Sequence, residues 1–91
     1  MIVEADGIRF DNNAYYAEGD VLYLQVGKPR DAADFNVSLE GHYLRYDEGG
    51  ELIGVTIVNA RKILEREGVI VVTLPDRRLE IANVGHLLAA A

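Results

Sequence analysis

The sequence predicts an α+β fold, built on an antiparallel β-meander sheet of about five or six strands packed with one or two short helices. Short segments with alternating apolar and polar residues recur along the chain, each bounded by glycine, proline, asparagine or aspartate. Two stretches have apolar residues at helical spacing, one near residue 60 and one at the carboxyl end. Strands that follow one another so closely are expected to pair with their neighbours in sequence.

A strand, a tight turn and a second strand in residues 42–58 form the centre of the predicted fold. Leu44 and Tyr46 alternate with polar residues, which indicates a half-buried strand. Residues 47–50 contain two glycines, which supply the positive φ that a short hairpin loop requires. Residues 52–58 are β-branched and apolar on both faces, and this predicts a central strand.

The end of this central strand leads into a predicted helix over residues 59–67. Asn59 is the expected N-cap, because an asparagine side chain accepts hydrogen bonds from the free amides of a first helical turn. Gly68 follows the helix, where a left-handed residue is expected. Within the strand, Gly54 marks a bulge or a close approach of two backbones.

The remaining elements are predicted from the same patterns. Phe35, Val37 and Leu39 alternate with polar residues, which predicts a half-buried strand. Residues 69–74 are apolar on both faces, so they are expected inside the sheet. The other predicted elements are a hairpin or edge strand in residues 1–10, a strand beginning at residues 14–17, strands at residues 21–26 and 78–81, and a last helix capped by Asn83.

The amino-acid composition indicates which broad class of protein this is. The 91 residues are 49% hydrophobic and 26% charged, which is typical of a soluble globular protein and predicts a single domain over residues 1–91. No apolar run approaches the ~20 residues of a membrane span, and the amino terminus lacks a signal-peptide pattern. We therefore expect a cytoplasmic protein without membrane contact. The absence of cysteine excludes disulfides and thiolate metal sites.

The charge balance is acidic, with 15 acidic and 9 basic residues and a formal net charge of −6. Nucleic-acid binding requires a basic surface that displaces counterions, so no nucleic-acid partner is expected. An acidic surface favours solubility and also suits a basic protein partner.

Carboxylates gather at two predicted turns. Asp47, Glu48 and Glu51 could hold a hard cation, but they lack the ligand spacing of a calcium loop, and turn aspartates commonly bind their own backbone. Asp20 precedes one strand and Asp47 ends another. If these strands were neighbours, the two carboxylates could form an acid–base pair with separated pKa values. Solvated turn residues are the favoured interpretation, so no metal, no cofactor and no catalytic residue is predicted.

His42 and Tyr46 carry an alternative function, a small-molecule-binding domain or weak enzyme. His42 is in phase with Leu44 and Tyr46, so it is expected to point inward, where it could act as a base or ligand. The pocket would lie near His42 and Tyr46 under the helix, with Asp47 close by. Ser38 is the only serine and lacks a nucleophile turn, and the glycines form no phosphate loop.

The five tyrosines favour protein interaction as the function. Tyrosine is enriched in interfaces because its ring is rigid and apolar and its tip is polar. Several tyrosines lie opposite the predicted core positions, so they form either an exposed aromatic surface or the packing beneath the helices. Unpaired sheet edges would also suit association, including a homodimer. The candidate ligand or interface residues are Tyr16, Asp20, Tyr23, His42, Tyr43, Tyr46, Asp47 and Asn59.

Three segments resemble the bacterial family called domain of unknown function 2283. They are YYAEGDVLYL at residues 15–24, LRYDEGGELIG at residues 44–54 and VTIVNA at residues 55–60. The family pattern joins a tyrosine and an acidic turn to an Asp-x-Leu-Tyr strand, and a later Asp-Tyr-Asp strand passes through a glycine turn into a Gly-Ile-x-Ile-x-x-Ala strand. Ala17 and Arg45 stand where the family commonly has aspartate, so a role for those carboxylates does not carry over.

The resemblance covers about residues 15–60 and implies antiparallel strands followed by a helix, without an established activity. Some members of this family are encoded beside small toxin-like proteins, which implies an acidic partner that neutralises a basic one. The sequence therefore predicts a non-enzymatic protein-interaction module, antitoxin-like in its charge, that binds a protein partner, a second copy of itself, or both.

Overall fold

The computed structural model describes residues 2–89 and confirms an α+β fold. In this part of the chain the strands are β1 (Val3–Ala5), β2 (Ile8–Phe10), β3 (Ala14–Tyr16), β4 (Val21–Gln25), β5 (Asp34–Val37), β6 (Tyr43–Tyr46), β7 (Leu52–Val58), β8 (Ile70–Thr73) and β9 (Arg78–Ile81). The helices are α1 (Ala60–Glu67) and α2 (Gly85–Ala89). No helix within residues 2–89 is both long and apolar enough to cross a membrane.

The main sheet has five antiparallel strands in the order β3-β4-β7-β6-β5. β7 lies at its centre, as its two apolar faces predict, and β5, β6 and β7 form a meander. The ladder between β6 and β7 shifts between Arg45 and Tyr46, beside Gly54. A Cβ at Gly54 would lie 3.3 Å from Gln25 Oε1 and 3.5 Å from the Leu24 carbonyl oxygen. The bulge predicted at Gly54 is thus confirmed, whereas the neighbouring backbone lies at an ordinary van der Waals distance.

One face of the main sheet carries the core. Leu22 and Leu24 of β4, Leu44 of β6, and Val55 and Ile57 of β7 are all buried on this face. The hairpins β1–β2 and β8–β9 supply the other layer, with β1 against β9, α1 against β8 and α2 against β3. Burial of each large apolar side chain stabilises the fold by about 1.5–3 kcal/mol relative to exposure.

The prediction that Phe35, Val37 and Leu39 lie half-buried is wrong. Their exposed fractions are 68%, 54% and 88%. β5 is an edge strand of the main sheet, and Leu39 lies in the turn after it. Alternation shows correctly that Phe35 and Val37 share a face, but no layer of the described chain covers that face.

The prediction that residues 69–74 lie inside the main sheet is also wrong. β8 pairs with β9 in a separate two-stranded sheet. Ile70 and Val72 are buried, whereas Val71 and Thr73 are half-buried. The short turn after Leu74 brings β9 alongside β8, so a local partner takes the place of the main sheet.

Candidate functional site

The face of the main sheet opposite the core is open along most of its area, and we call it the outer sheet face. It is covered around Gly54, which is buried, and Arg45 beside it donates a hydrogen bond to the carbonyl oxygen of Arg30 in the loop after β4. Residues opposite each other on paired strands share a face, so the strand register defines its members. They form three rows, namely Tyr16, Val21 and Val58; Ala14, Tyr23, Thr56, Tyr43 and Val37; and Gln25, Gly54, Arg45 and Phe35. No side chain on this face is fully buried, whereas the core-facing residues of β4 and β7 are.

Three of the predicted interface tyrosines lie together on the outer sheet face. Tyr16, Tyr23 and Tyr43 are 52%, 47% and 55% exposed. Phe35 and Val37 extend the same apolar surface, although the sequence pattern assigned them to the core. The alternation in β5 is the sequence feature that could have identified them, because it puts Phe35 and Val37 on one face. The strand register then places Val37 in the row of Tyr43.

The outer sheet face carries one charged side chain among its twelve positions, Arg45. Its Nη1 donates a hydrogen bond to Gln25 Oε1 at 3.0 Å. Its Nη2 donates to the carbonyl oxygen of Arg30. The guanidinium is therefore engaged by neutral acceptors within the chain, and this face carries no carboxylate although the protein as a whole is acidic.

At the open edge of β5, two backbone amides already donate hydrogen bonds to side chains of the same strand. The Phe35 amide donates to Asp34 Oδ1 at 2.9 Å, and the Val37 amide donates to Asn36 Oδ1 at 2.8 Å. These two backbone donors would otherwise be available to a strand of another chain. The edge is thus less available for strand addition than its exposure suggests.

Asp20 joins the turn before β4 to the start of α1. Its Oδ1 accepts hydrogen bonds from the Arg61 amide at 2.7 Å and the Tyr15 hydroxyl at 2.8 Å, and its Oδ2 accepts one from the Lys62 amide at 3.3 Å. Burial alone would raise the pKa of this carboxyl. The Arg61 amide and the Tyr15 hydroxyl outweigh it, so the pKa of Asp20 lies below its ordinary value.

Asp20 caps α1, and the prediction that the Asn59 side chain does so is wrong. Asn59 occupies the N-cap position, but its backbone is left-handed, with φ 60°, and its side chain makes no capping hydrogen bond. The alternative in which Asp20 and Asp47 form an acid–base pair does not hold, although β4 and β6 both flank β7. Val21 pairs with one end of β7, whereas Tyr46 pairs with the other.

Arg61 connects α1 to two other elements. Its guanidinium carbon lies 5.5 Å from the centroid of the Tyr15 ring, a cation–π distance. Its Nη2 donates to the carbonyl oxygen of Leu88 in α2. Burial and then the Asp20 carboxylate raise the pKa of Tyr15. These contacts tie α1 to β3 and α2.

His42 points inward, as predicted, and is only 2% exposed. Its Nδ1 accepts a hydrogen bond from the Val58 amide at 3.1 Å, which requires a neutral ring with its proton on Nε2. Burial lowers the pKa of His42, and nearby Glu40 opposes this effect only in part. Neither His42 nor Tyr46 lines any of five surface clefts, of about 270–360 Å³ each, that residues 2–89 present.

Tyr46 is packed into the protein and Asp47 forms hydrogen bonds within its own turn. The Tyr46 hydroxyl is buried with no hydrogen-bond partner in the described part of the chain, and burial raises its pKa. Asp47 Oδ1 accepts hydrogen bonds from the amides of Gly49 at 2.9 Å and Glu51 at 3.0 Å, so it organises its own turn. Between residues 2 and 89, no group of three or more His, Cys, Asp or Glu side chains is placed to hold a metal ion.

Glu40 connects the β5–β6 turn to β8. Its two carboxylate oxygens accept hydrogen bonds from the Thr73 amide at 2.9 Å and the Thr73 hydroxyl at 2.5 Å. Burial opposes ionisation of Glu40, but the Thr73 hydrogen bonds outweigh it and lower the pKa of the carboxyl. The sequence gives no sign of this contact, because 33 residues separate the partners.

We expect Glu40→Ala to lower the free energy of unfolding by about 1 kcal/mol, because it removes two hydrogen bonds to a charged acceptor at an exposed site. The measurement is urea denaturation at neutral pH. Glu48→Ala is the matched control, since Glu48 is an exposed turn carboxylate that makes no ion pair within residues 2–89, and we expect a change within about 0.5 kcal/mol. Equal effects of the two substitutions would show that the Thr73 contact contributes nothing.

Comparison with known families matches residues 12–61 to the family model described as "Protein of unknown function (DUF2283)". The matched segment begins before β3 and ends in the first turn of α1, so it contains every position of the outer sheet face. Asp20, His42 and Asn59 also lie within it. No curated protein and no solved structure matches the chain.

Proposed function

Because the chain belongs to the family of proteins of unknown function DUF2283, which assigns no activity, we propose a function from its geometry: a non-enzymatic protein-interaction module that docks through the outer sheet face. One observation carries the proposal. Tyr16, Tyr23, Phe35, Val37 and Tyr43 are all exposed on one side of a five-stranded sheet whose other side carries the core.

An uncovered apolar sheet face is favourable for association. Contiguous exposed apolar patches are uncommon on monomeric proteins and mark interaction sites, and antiparallel sheets left in water usually present polar side chains. Tyrosine adds hydrogen-bonding capacity at the rim of a contact at a low cost in side-chain entropy. Covering the outer sheet face with another protein surface would remove these rings from water.

The charge of −6 supports a more specific form of the proposal, an antitoxin-like acidic partner of a basic protein. The outer sheet face itself offers no carboxylate to such a partner, so electrostatic contacts would have to come from the turns around it. A single-domain chain in the cytoplasm remains the prediction from the sequence.

Site-specific photocrosslinking in the native cells tests docking through this face. Tyr23 is replaced with p-benzoylphenylalanine in the full chain, so that the reactive group lies near the centre of the outer sheet face. Glu80 is the matched control position, because it is exposed on β9, away from this face. We expect a discrete adduct from position 23 and none from position 80.

The mass and salt dependence of the adduct identify the class of partner. A basic protein whose adduct is lost at raised salt would support the antitoxin-like form, because surface electrostatic contacts are screened by salt. Adducts of equal yield from both positions, or none from position 23 in irradiated cells that contain the variant, would contradict docking through this face.

A further inference from the structure

We propose that the occupant of the outer sheet face is a second copy of this chain, packed sheet against sheet in a two-fold symmetric dimer. This inference rests on the proposed function and names its partner. It commits to self-association, and a different protein on the same face becomes an outcome of the test.

The first argument is charge. The chain carries 24 Asp, Glu, Lys and Arg residues, yet the outer sheet face carries only Arg45. Two copies can therefore bring these faces together without placing like charges opposite each other. A basic partner would find no carboxylate among the twelve positions of this face, so the net charge of −6 gives it no direct contact there.

The second argument is that pairing through the open edge of β5, the usual alternative for a small sheet protein, is disfavoured. Asp34 and Asn36 occupy the outward amides of Phe35 and Val37 on β5. The opposite edge strand, β3, contacts α2. With the amides of the β5 edge already satisfied, the outer sheet face is the better surface on which a second sheet can pack.

The third argument is the spacing of the central row. Tyr23, Thr56 and Tyr43 lie on three adjacent strands, with the small Thr56 between the two tyrosines. Two strand spacings separate the tyrosine backbones by about 10 Å, and aromatic rings pack with centroids about 4.5–7 Å apart. One ring from a second copy therefore fits in the gap above Thr56. A two-fold axis makes the contact reciprocal, as an isologous interface requires.

The fourth argument is area. Tyr16, Tyr23, Phe35 and Tyr43 are 52%, 47%, 68% and 55% exposed, which at about 200 Å² for a whole aromatic side chain corresponds to roughly 440 Å² per copy. Val37 and the half-buried residues of the same rows add to this area. The four aromatic rings alone thus supply about half of the about 800 Å² per partner of a standard interface. A weak dimer, with a dissociation constant in the micromolar range, is the expected result.

Sedimentation equilibrium of the full chain, from about 1 µM to about 500 µM, tests the proposal. Tyr23→Lys and Tyr43→Lys each place a charge in the central row and are expected to raise the dissociation constant at least about tenfold, since an unpaired buried charge is strongly unfavourable. Leu39→Lys is the matched control, because Leu39 is 88% exposed in the turn after β5, outside the twelve positions, and a change within about twofold is expected. Circular dichroism of each variant confirms that it is folded.

Salt dependence gives a second readout on the same samples. Two acidic copies repel each other at long range, so raising the salt from about 0.05 M to about 0.5 M is expected to leave the dimer unchanged or strengthen it. A dimer that Tyr23→Lys and Tyr43→Lys leave intact would overturn the sheet-to-sheet arrangement. A chain that stays monomeric at about 500 µM, while position 23 crosslinks to a protein of another mass, would overturn self-association and leave the proposed docking function standing.

Discussion

Asp20→Ala is expected to lower the free energy of unfolding by about 2–3 kcal/mol, because it removes a charged helix cap. The amides of Arg61 and Lys62 and the hydroxyl of Tyr15 would all lose the acceptor that they share. Asp20 also has a left-handed backbone, with φ 54°, which alanine tolerates poorly. Urea denaturation at neutral pH measures the change.

Two control variants separate the causes of this effect. Asp20→Asn tolerates the left-handed backbone and keeps one acceptor oxygen, so we expect a loss of about 1 kcal/mol that reports the missing charge. Glu18→Ala removes the other carboxylate of the same turn, which makes only a 3.4 Å contact with the Tyr16 hydroxyl, and should change stability by less than about 0.5 kcal/mol. An Asp20→Ala effect as small as that of Glu18→Ala would show that the cap is not important.

Acidification from pH 7.5 to pH 5 is expected to lower the free energy of unfolding by up to about 2 kcal/mol through His42, the limit that an unfolded pKa of about 6.5 sets. The folded pKa of His42 lies below its ordinary value because the ring is buried. The unfolded chain therefore binds the proton first. The stability contributed by His42 is fully present above the unfolded pKa of about 6.5 and is lost as the pH falls towards the folded pKa.

Protonation would also remove the acceptor of the Val58 amide, since His42 Nδ1 would become a donor. His42→Asn is the matched variant, because an asparagine oxygen can take the place of Nδ1 but does not titrate. Melting temperatures measured across this range should fall steeply for the wild type and little for His42→Asn. Parallel curves for the two proteins would contradict the assignment of the acid sensitivity to His42.

Alternation along the strands predicted which side chains share a face but could not show which faces would be covered. On β4 the more apolar face, which carries Leu22 and Leu24, is the buried one. On β5 the same rule fails, because Phe35 and Val37 form the more apolar face and yet are exposed. Coverage depends on where the hairpins β1–β2 and β8–β9 pack, and that is a long-range property of the chain.

Local patterns also misassigned the cap of α1. An asparagine directly before a helical segment is a frequent N-cap, so Asn59 was the expected residue. The acceptor that the structure uses, Asp20, lies 41 residues from the Arg61 amide that it binds. No local window contains both, and the pairing arises only because β4 and β7 are neighbours.

The most direct test of self-association through the outer sheet face follows aromatic proton resonances of the full chain as it is concentrated from about 20 µM to about 1 mM. The outer rings are those of Tyr16, Tyr23, Phe35 and Tyr43, and the internal controls are Phe10, Tyr15 and Tyr46. We expect the outer rings to shift and broaden together while the control rings keep their positions. Shifts of the control rings alone, or of no ring at the highest concentration, would contradict self-association through this face.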